Sequence, residues 1–409
     1  MSQVTTANER RTAAALPPRK RLCFVVTHPI QYSVPLYQRI ARRGDFDSKV
    51  FFTWHDGATA VEDRGFQTPV AWDIPVTEGY DHELVPNMAA DPGTHRFLGI
   101  RNPRLLERVL AWRPDVVHIS GWAWLSHLQL LHSLYRHGVR TLFFGDSHLL
   151  DGPHGGPRWW LKAALLRRVY SWPTGFLVAG SANRAYLERF GVPPAKLHPS
   201  PHSIDVRRFS DAANRSEQQA SGWRSELGIA PEQKVLLYAG KFEPKKRATD
   251  LMRAVARIGD GRLVLVLVGA GELQADIDAI AAAEPSRFRV LPFQNQSRMP
   301  IVYRLGDIFV LPSSHGESWG LAVNEALACG RPVLVSDRVG CAADLIDATC
   351  GRVFPWNDWS ALQKAVEDMI GDPDELANMA RSAARRAWAF DTEAAEAAIV
   401  AAVNAIGTC

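Results

Sequence analysis

Cysteine is scarce in this chain of 409 residues, and its five cysteines are scattered and odd in number. None of them forms a Cys-x-x-Cys pair. This pattern argues against a disulfide framework and against a zinc site built from cysteines. A reducing compartment fits this usage, so we expect a cytoplasmic protein and leave open a peripheral contact with the inner face of the membrane.

Long hydrophobic runs are missing too. No apolar stretch approaches the roughly 18 uncharged residues that a membrane-spanning helix needs. Residues 1–20 are polar and lack the apolar core of a signal peptide, so they predict a disordered leader. The overall composition, 46% hydrophobic and 22% charged, is ordinary for globular domains that bury their own cores.

What the sequence does contain is an alternation of apolar, strand-like runs with amphipathic, helix-like runs. Strands are predicted at 21–28, 49–54, 115–120, 140–146, 175–181, 234–242, 262–271, 287–293, 307–313 and 331–337. Nearly continuous apolar strands separated by helices indicate a parallel sheet covered on both faces. Two such series predict an α/β protein with two doubly wound, Rossmann-like domains.

The predicted organisation has four parts. They are a leader over 1–20, a first domain over 21–215, a second domain over 216–390, and a helix over 391–409 that crosses back to the first domain. The boundary is placed in the polar segment 210–230. Because doubly wound sheets bind ligands at the carboxyl ends of their strands, a cleft between the two domains is the expected site.

Charge is distributed unevenly along the chain. Residues 1–215 contain 27 Lys and Arg against 18 Asp and Glu, whereas the remainder contains 20 against 25. A basic first half is consistent with an anionic acceptor or an anionic membrane surface, and equally with a solvated, arginine-rich surface. The Trp- and Arg-rich segment 157–172 suggests a membrane-surface helix, but its charges do not gather on one helical face, which favours a packed helix with extended arginines. We expect no nucleic-acid partner.

Two glutamates flank a predicted strand-to-helix junction in "HGESWGLAVNEALACGRPVLVSD", residues 315–337. Glu317 falls in the loop, and Glu325 about one and a half turns inside the helix, which a left-handed Gly330 is expected to end. Backbone N–H groups of residues 316–321 would favour an anion at the helix start. The loop could thus hold a phosphate, while the two carboxylates accept hydrogen bonds from hydroxyl groups on either side of it. A nucleotide sugar has this arrangement of groups.

The second half also supplies cations at predicted strand ends. Lys241 and Lys246 follow Gly240 on a strand-to-helix loop, where they can neutralise charge on a departing diphosphate. Phe293 and Gln294 end a later strand and could present backbone groups to a base. The second half therefore offers groups for each part of a nucleotide sugar.

These residues resemble the second domain of the retaining glycosyltransferases of family 4, which have the GT-B fold. The resemblance rests on an ordered set, namely Gly240-Lys241, Lys246, Pro312-Ser313, Glu317 and Glu325. Weaker similarity upstream, at 179–193 and 201–209, extends it over most of residues 21–405. It implies a second domain that binds the nucleotide sugar and a first domain on the acceptor side.

The resemblance also implies a role for each site residue. Glu325 would accept hydrogen bonds from the ribose hydroxyls, and Glu317 would accept them from the hydroxyls of the transferred sugar. Taken singly, Glu325 could instead be a solvated helix glutamate and Glu317 a helix cap. The implied donor-binding set is Gly240, Lys241, Lys246, Phe293, Gln294, Ser318, Trp319, Gly320, Leu321 and Glu325. The implied catalytic set is Glu317, Asp146, His148 and Lys246.

Asp146 and His148 enter that set through their position at a strand end in the first half. There they match the region of a family histidine that touches the donor sugar, and we expect them to face the sugar or the acceptor. His154, in the same segment, is expected to be structural.

Parts of the sequence depart from the family pattern. The glycine-rich loop after the first strand is replaced by residues 27–40, and we expect His28, Gln31 and Tyr32 of this segment in the cleft, without assigned roles. Lysine stands at 241 where arginine is usual, which keeps the charge but loses the bidentate fork. His202-Ser203 replaces an Asn-Gly turn.

The implied reaction moves a sugar from a nucleoside-diphosphate sugar, of UDP or GDP type, to a hydroxyl of a polysaccharide, glycolipid or small molecule with retention of configuration. The leaving phosphate oxygen would take the acceptor's proton, so no enzyme nucleophile is required. No cofactor or metal is expected, because lysines and a helix start neutralise the diphosphate and no Asp-x-Asp pair is placed to hold a metal there. Two alternatives stay open: a sugar-nucleotide epimerase of the same fold and a catalytically inactive nucleotide-sugar-binding scaffold.

Overall fold

The computed structural model describes residues 19–57, 61–63, 65–151 and 155–407. Most of the predicted leader and His154 therefore lie outside the described residues. The prediction of a disordered leader and the structural role expected for His154 stay predictions.

The first half of the chain builds a parallel sheet. Its strands are β1 Lys20–Val26, β2 Phe46–Phe52, β3 Val61–Asp63, β4 Thr68–Val70, β5 His82–Leu84, β6 Val116–Ser120, β7 Arg140–Phe144, β8 Gly175–Val178 and β9 Leu197–Pro199. In the described part of the chain, seven of them form one sheet in the order β5-β2-β1-β6-β7-β8-β9. All neighbours in this sheet are parallel, whereas β3 and β4 pair with each other as an antiparallel hairpin.

The second half builds another parallel sheet. Its strands are β10 Lys234–Ala239, β11 Leu263–Val268, β12 Phe288–Leu291, β13 Ile308–Leu311, β14 Val333–Ser336 and β15 Gly351–Phe354. Their order, within the described residues, is β12-β11-β10-β13-β14-β15. In both sheets the order reverses beside the first strand of the half, which is where doubly wound sheets open a ligand crevice.

Helices connect the strands and cover the sheets. They are α1 Val34–Ala41, α2 Leu105–Ala111, α3 Leu125–Arg136, α4 Pro157–Tyr170, α5 Ser181–Arg189, α6 Val206–Phe209, α7 Arg215–Glu226, α8 Ala248–Val255, α9 Gln274–Ala283, α10 Met299–Arg304, α11 Leu321–Ala328, α12 Ala342–Leu345, α13 Trp359–Gly371, α14 Pro373–Ala387 and α15 Thr392–Gly407. Short 3₁₀ turns lie at Phe97–Gly99, Pro194–Lys196, Pro244–Lys246 and Trp388–Phe390. None of the described helices combines the length and apolarity needed to cross a membrane.

Burial of the strands on both faces explains the layered architecture. Every residue of β11, "LVLVLV", is buried. Each sheet carries two apolar clusters, one on either face. Continuous runs of β-branched and leucine side chains are stable only when helices cover both faces of a parallel sheet. The prediction of two doubly wound, Rossmann-like α/β domains is confirmed.

The segment in which the domain boundary was placed contains a helix rather than an irregular connection. Helix α7 spans Arg215–Glu226 and packs against α10. Its Trp223 contributes to a cluster on the second sheet and lies 4.7 Å from the guanidinium of Arg298. The exact boundary stays a prediction.

The last described helix, α15, packs on the first sheet. Ile399, Val403 and Ile406 are buried in the same cluster as Leu22 and Phe24 of β1. The carboxylate of Glu396 binds two arginines from the region of α1, Arg39 at 2.6 Å and Arg43 at 2.9 Å. One face of the first sheet is thus closed by residues that follow the whole second sheet in the chain.

Candidate active site

The predicted sugar-binding carboxylate and a predicted phosphate-binding lysine are direct partners. Lys246 ends the 3₁₀ turn after β10, and Glu317 lies in the loop after β13. Their side chains form an ion pair, and Ser313 donates its hydroxyl to the same carboxylate oxygen at 3.0 Å. Both charged side chains are largely buried, with exposures of 17% and 13%. The pair presents one anion and one cation at the carboxyl end of the central strands of the second sheet.

The loop after β7 brings the predicted first-half residues to this pair. Asp146 accepts a hydrogen bond from the Ser318 hydroxyl at 2.6 Å. His148 uses Nδ1 to accept from the Leu150 amide at 3.1 Å, so a neutral ring carries its proton on Nε2 and donates to the Glu317 carbonyl at 3.2 Å. The cleft therefore joins Asp146 and His148 to the loop that carries Glu317.

A third residue of the first half, Asp151, was not predicted. Both of its carboxylate oxygens accept from the Gly316 amide at 3.0 Å. Gly316 opens the segment expected to bind an anion, and the anion it binds here is a side chain of the protein. Arg338 donates to the Leu150 carbonyl and adds a contact across the same part of the cleft.

Glycine is required at the start of α11. Gly320 has φ +95°, and a Cβ there would lie 2.9 Å from Val339. The amides at the start of α11 form the positive end of the helix dipole, where an anion is stabilised. The predicted left-handed residue at the other end is confirmed, since Gly330 has φ +69°.

Trp319 takes a structural position in addition to its predicted backbone role. Its side chain is buried, and its indole N–H donates to Asn324 at 2.9 Å. Asn324 in turn donates to the carbonyl of His202 at 3.1 Å. Helix α11 is thereby tied to the segment where the sequence departs from the family turn.

Glu325 lies apart from the ion pair and is held by other residues. The hydroxyl of Tyr303 donates to its carboxylate at 2.6 Å. Burial raises the pKa of Glu325, while the Tyr303 hydrogen bond and the nearby Arg208 oppose that shift. Only 8% of the residue is exposed, so a ribose would reach one edge of the carboxylate. Neither Tyr303 nor Arg208 was predicted as a site residue; both come from short helices elsewhere in the chain.

Two residues of the predicted donor-binding set, Phe293 and Lys241, contact the β3–β4 hairpin of the first half. Phe66 lies in the turn of this hairpin. Its ring is 4.6 Å from that of Phe293, and the ammonium of Lys241 lies 5.0 Å from the same Phe66 ring. Gly240 donates its amide to Val268 at 3.0 Å. Gln294 is half-buried and donates to the Pro292 carbonyl. The hairpin thus contacts part of the predicted donor-binding set, and the sequence carries no signal for this contact.

The segment after β1 lies at the cleft end of the first sheet. The ring of Tyr32 is 5.6 Å from His202, and His28 stacks on His55 at 4.9 Å. The side-chain oxygen of Gln31 is buried and has no hydrogen-bond partner among the described residues. In those residues, likewise, no group of three His, Cys, Asp or Glu side chains is close enough to hold a metal ion.

Comparison with known proteins settles the family. A family model described as Glycosyltransferase Family 4 matches residues 31–208, and one described as Glycosyl transferases group 1 matches residues 220–387. The two matches follow one another along the chain and together take in most of it. The chain belongs to glycosyltransferase family 4. It is a glycosyltransferase, as the ordered set of motif residues predicted.

Relatives of this family 4 enzyme include two bacterial proteins named D-inositol 3-phosphate glycosyltransferase. The protein from Nocardia farcinica is 30% identical over 227 residues, which are 52% of this chain and 49% of that protein. The protein from Kineococcus radiotolerans is 26% identical over 356 residues, which are 77% of this chain and 79% of that protein. The more similar match thus spans about half of the relative.

Solved structures share the whole fold. HepE from Anabaena, in a complex with UDP and glucose, superposes with a TM-score of 0.69 at 16% identity, covering 94% of this chain and all of that one. A glycosyltransferase from Rickettsia africae superposes with a TM-score of 0.71 at 12% identity, covering 95% and 98%. The predicted GT-B fold is confirmed.

Proposed function

We propose that this family 4 enzyme moves a sugar from a nucleoside-diphosphate sugar to a hydroxyl acceptor with retention of configuration. The proposal is supported by the Lys246–Glu317 pair and by two hydrogen bonds that connect its loop to the first half. Ser318 donates to Asp146, and His148 donates to the Glu317 carbonyl. The pair sets a cation for the diphosphate beside a carboxylate for the sugar hydroxyls. Asp146 then lies on the acceptor side of the same point.

In this proposal the protein supplies position and charge rather than a nucleophile. The sugar–phosphate bond breaks, a bond to the acceptor oxygen forms on the same face of the sugar, and the acceptor's proton passes to the leaving phosphate oxygen. Lys246, Lys241 and the start of α11 stabilise the charge that develops on that phosphate. Glu317 and His148 orient the sugar, and closure of the cleft excludes water.

The charge on the leaving group is assigned to lysines and backbone N–H groups, without a metal. We expect full activity in excess EDTA, measured as acceptor-dependent release of the nucleoside diphosphate. Loss of activity in EDTA and its return with a divalent cation would overturn this part of the proposal.

The donor is proposed to carry UDP or GDP, with UDP the first to test because HepE was solved with UDP. A thermal-shift panel with UDP, GDP, dTDP and ADP and their sugars tests the choice on wild type and Glu325→Ala. We expect one nucleotide family to stabilise the wild type and to lose that effect in the variant. Stabilisation by none of them contradicts the donor assignment.

Transfer itself is tested with the donor that binds. We expect a product that forms only with an acceptor and whose anomeric configuration, read by ¹H NMR, matches the donor's. An inverted product contradicts retention. Conversion of the donor sugar without acceptor indicates an epimerase, and binding without turnover indicates a scaffold.

We further propose that α4 contacts an anionic membrane. Its inner face packs on the first sheet, whereas Trp160, Leu161 and Leu165 on the outer face are 57%, 73% and 49% exposed. Four exposed basic residues flank them: Arg158, Lys162, Arg167 and Arg168. Exposed tryptophan and leucine beside several cations are typical of helices that lie in a lipid interface.

Flotation with vesicles tests the membrane contact. We expect binding to vesicles that contain phosphatidylglycerol, little binding to phosphatidylcholine alone, and a several-fold loss in Trp160→Ala/Leu161→Ala. Tyr135→Ala, at an exposed aromatic residue of α3, is the matched control. Equal binding of wild type and double variant contradicts the assignment to α4.

A further inference from the structure

A cavity of about 320 Å³ opens at the carboxyl end of the first sheet, on the acceptor side of the proposed transfer point. It has room for roughly ten water molecules. Aromatic and aliphatic side chains supply much of its wall, among them Phe24, Tyr32, Phe144 and Leu177. Asp146 also lines it, so the cavity reaches the residue bonded to Ser318. A hydroxyl at this end would lie next to the loop that carries Glu317.

His118 contributes an unpaired polar atom to the wall of this cavity. It lies in the middle of β6, with its ring 5.2 Å from that of Phe24 and 6.1 Å from that of Phe144. The residue is 6% exposed, and its Nδ1 atom has no hydrogen-bond partner among the described residues. Buried polar atoms are nearly always paired, so an unpaired nitrogen on a cavity wall indicates a missing partner.

The charge of the cavity restricts what that partner can be. None of the described residues that line it is Lys or Arg, and its charged side chain is the carboxylate of Asp146. Burial lowers the pKa of His118 to about 4, so its ring is neutral near pH 7. Burial also lowers the pKa of His202, although the Asp146 carboxylate opposes this. A phosphate placed here would lose its hydration without gaining a cation and would face a carboxylate.

We propose that this cavity is the acceptor site and that it selects a neutral hydroxyl compound with an apolar or ring-shaped body over its phosphorylated counterpart. The proposal rests on the transfer reaction proposed above. The acceptor's reacting hydroxyl lies at Asp146, and a second hydroxyl pairs with the Nδ1 atom of His118. The relatives named for D-inositol 3-phosphate are thus a poor guide to the acceptor of this chain.

Matched acceptor pairs test the selectivity. The probes are myo-inositol with inositol 3-phosphate, and p-nitrophenyl glucoside with its 6-phosphate, each with the nucleotide sugar that stabilises the enzyme. We expect kcat/KM to be at least tenfold higher for a neutral compound than for its phosphorylated partner. Equal or better use of the phosphorylated partner overturns the proposal, as does failure of both neutral probes to bind in ligand-detected NMR.

His118→Phe tests the site itself. Phenylalanine keeps the ring between Phe24 and Phe144 but removes its nitrogens. We expect the KM for the neutral acceptor to rise about tenfold, with nucleotide binding unchanged and the melting temperature equal or higher. His132→Phe, which changes a half-buried histidine outside the cavity, is the control. An unchanged acceptor KM in His118→Phe contradicts the proposal.

A wrong transfer reaction and a wrong acceptor site give different experimental results. If no nucleotide sugar stabilises the protein, the transfer reaction is wrong, and ligand-detected NMR with the neutral probes still decides whether the cavity binds them. If the donor binds and is used with phosphorylated acceptors as well as or better than with neutral ones, the reaction stands and only the neutral acceptor site is wrong.

Discussion

At the scale of single residues, Glu325 combines a proposed ribose-binding role with a cost to stability. Its carboxylate is buried on a tyrosine hydroxyl, and burial raises its pKa. A raised pKa means that folding favours the protonated form, so the stability this group contributes is present below its unfolded pKa and is lost as the pH rises through the folded value.

Glu325→Gln should therefore separate the two effects. We expect the melting temperature of the variant minus that of wild type to increase from pH 4 to pH 8, because the amide is never ionised. Nucleotide affinity should fall about tenfold, since a charge-assisted hydrogen bond to ribose becomes a neutral one. Calorimetric titration at both pH values and thermal melts measure this; unchanged affinity contradicts the ribose assignment.

The Lys246–Glu317 pair gives a second prediction at this scale. Lys246→Gln should lower kcat/KM by about 10²–10³, the usual effect of losing one group that stabilises developing charge. It should also destabilise the fold by roughly 1–3 kcal/mol, because it leaves a largely buried carboxylate unpaired. Steady-state kinetics and urea unfolding measure the two effects.

Two further variants show which effect matters. Lys245→Gln removes the adjacent lysine, which pairs with Glu243 at 3.0 Å and is more exposed, and it should leave activity within about threefold of wild type. Lys246→Met/Glu317→Gln removes both charges and should regain stability but not activity. Recovery of activity in the double variant would show that the pair is structural.

Residues of the site were predictable where a motif carries them and not where tertiary contact does. Lys246, Glu317 and Glu325 stand in an ordered pattern that the sequence displays. Asp151 and Phe66 do not, because each is placed by a loop from the other half of the molecule. His118 reads as an ordinary strand residue, and only the cavity beside it gives its unpaired nitrogen a meaning.

At the scale of elements, long apolar strands were predictable and short ones were not. β1, β10 and β11 each contain a continuous apolar run of five or six residues. β5 and β9 have three residues each and mix polar with apolar side chains, so no period can be read from them. They are strands because a neighbouring strand pairs with them. The β3–β4 hairpin was missed for the same reason.

Helix α15 gives a prediction at this scale. Ile399 is 2% exposed and packs in the cluster that covers β1. Ile399→Ala should lower the free energy of unfolding by about 2–4 kcal/mol, the range for deleting a large aliphatic side chain from a core. Val400→Ala, at the half-buried neighbour, should cost less than half as much. Urea unfolding followed by tryptophan fluorescence checks both, and equal costs would contradict the packing described.

At the scale of the whole molecule, hydrogen bonds between the halves hold the cleft. Asp344, from the second half, accepts from the Ser181 amide at 2.9 and 3.1 Å and from its hydroxyl at 2.9 Å, at the start of α5. Gly180 permits this approach, since a Cβ there would lie 2.5 Å from the Asp344 carboxylate. The bond is a helix cap supplied by the other domain.

Asp344→Ala should loosen the cleft. We expect a larger radius of gyration by small-angle X-ray scattering and a kcat/KM about tenfold lower, because groups on the two domains must meet around the sugar. Asp347→Ala removes a carboxylate that bonds Thr349 within the second half and should leave the scattering curve unchanged. Identical curves for wild type and Asp344→Ala contradict the clamp.

The position of α15 has a consequence for folding during protein synthesis. The first sheet is translated early, but the helix that covers one of its faces leaves the ribosome only after the entire second domain. Until then, the apolar surface formed by Leu22, Phe24 and their neighbours is exposed to water where α15 will later cover it. The first domain therefore completes this core only after the second domain has been synthesised, and apolar surface exposed in an incomplete chain favours aggregation.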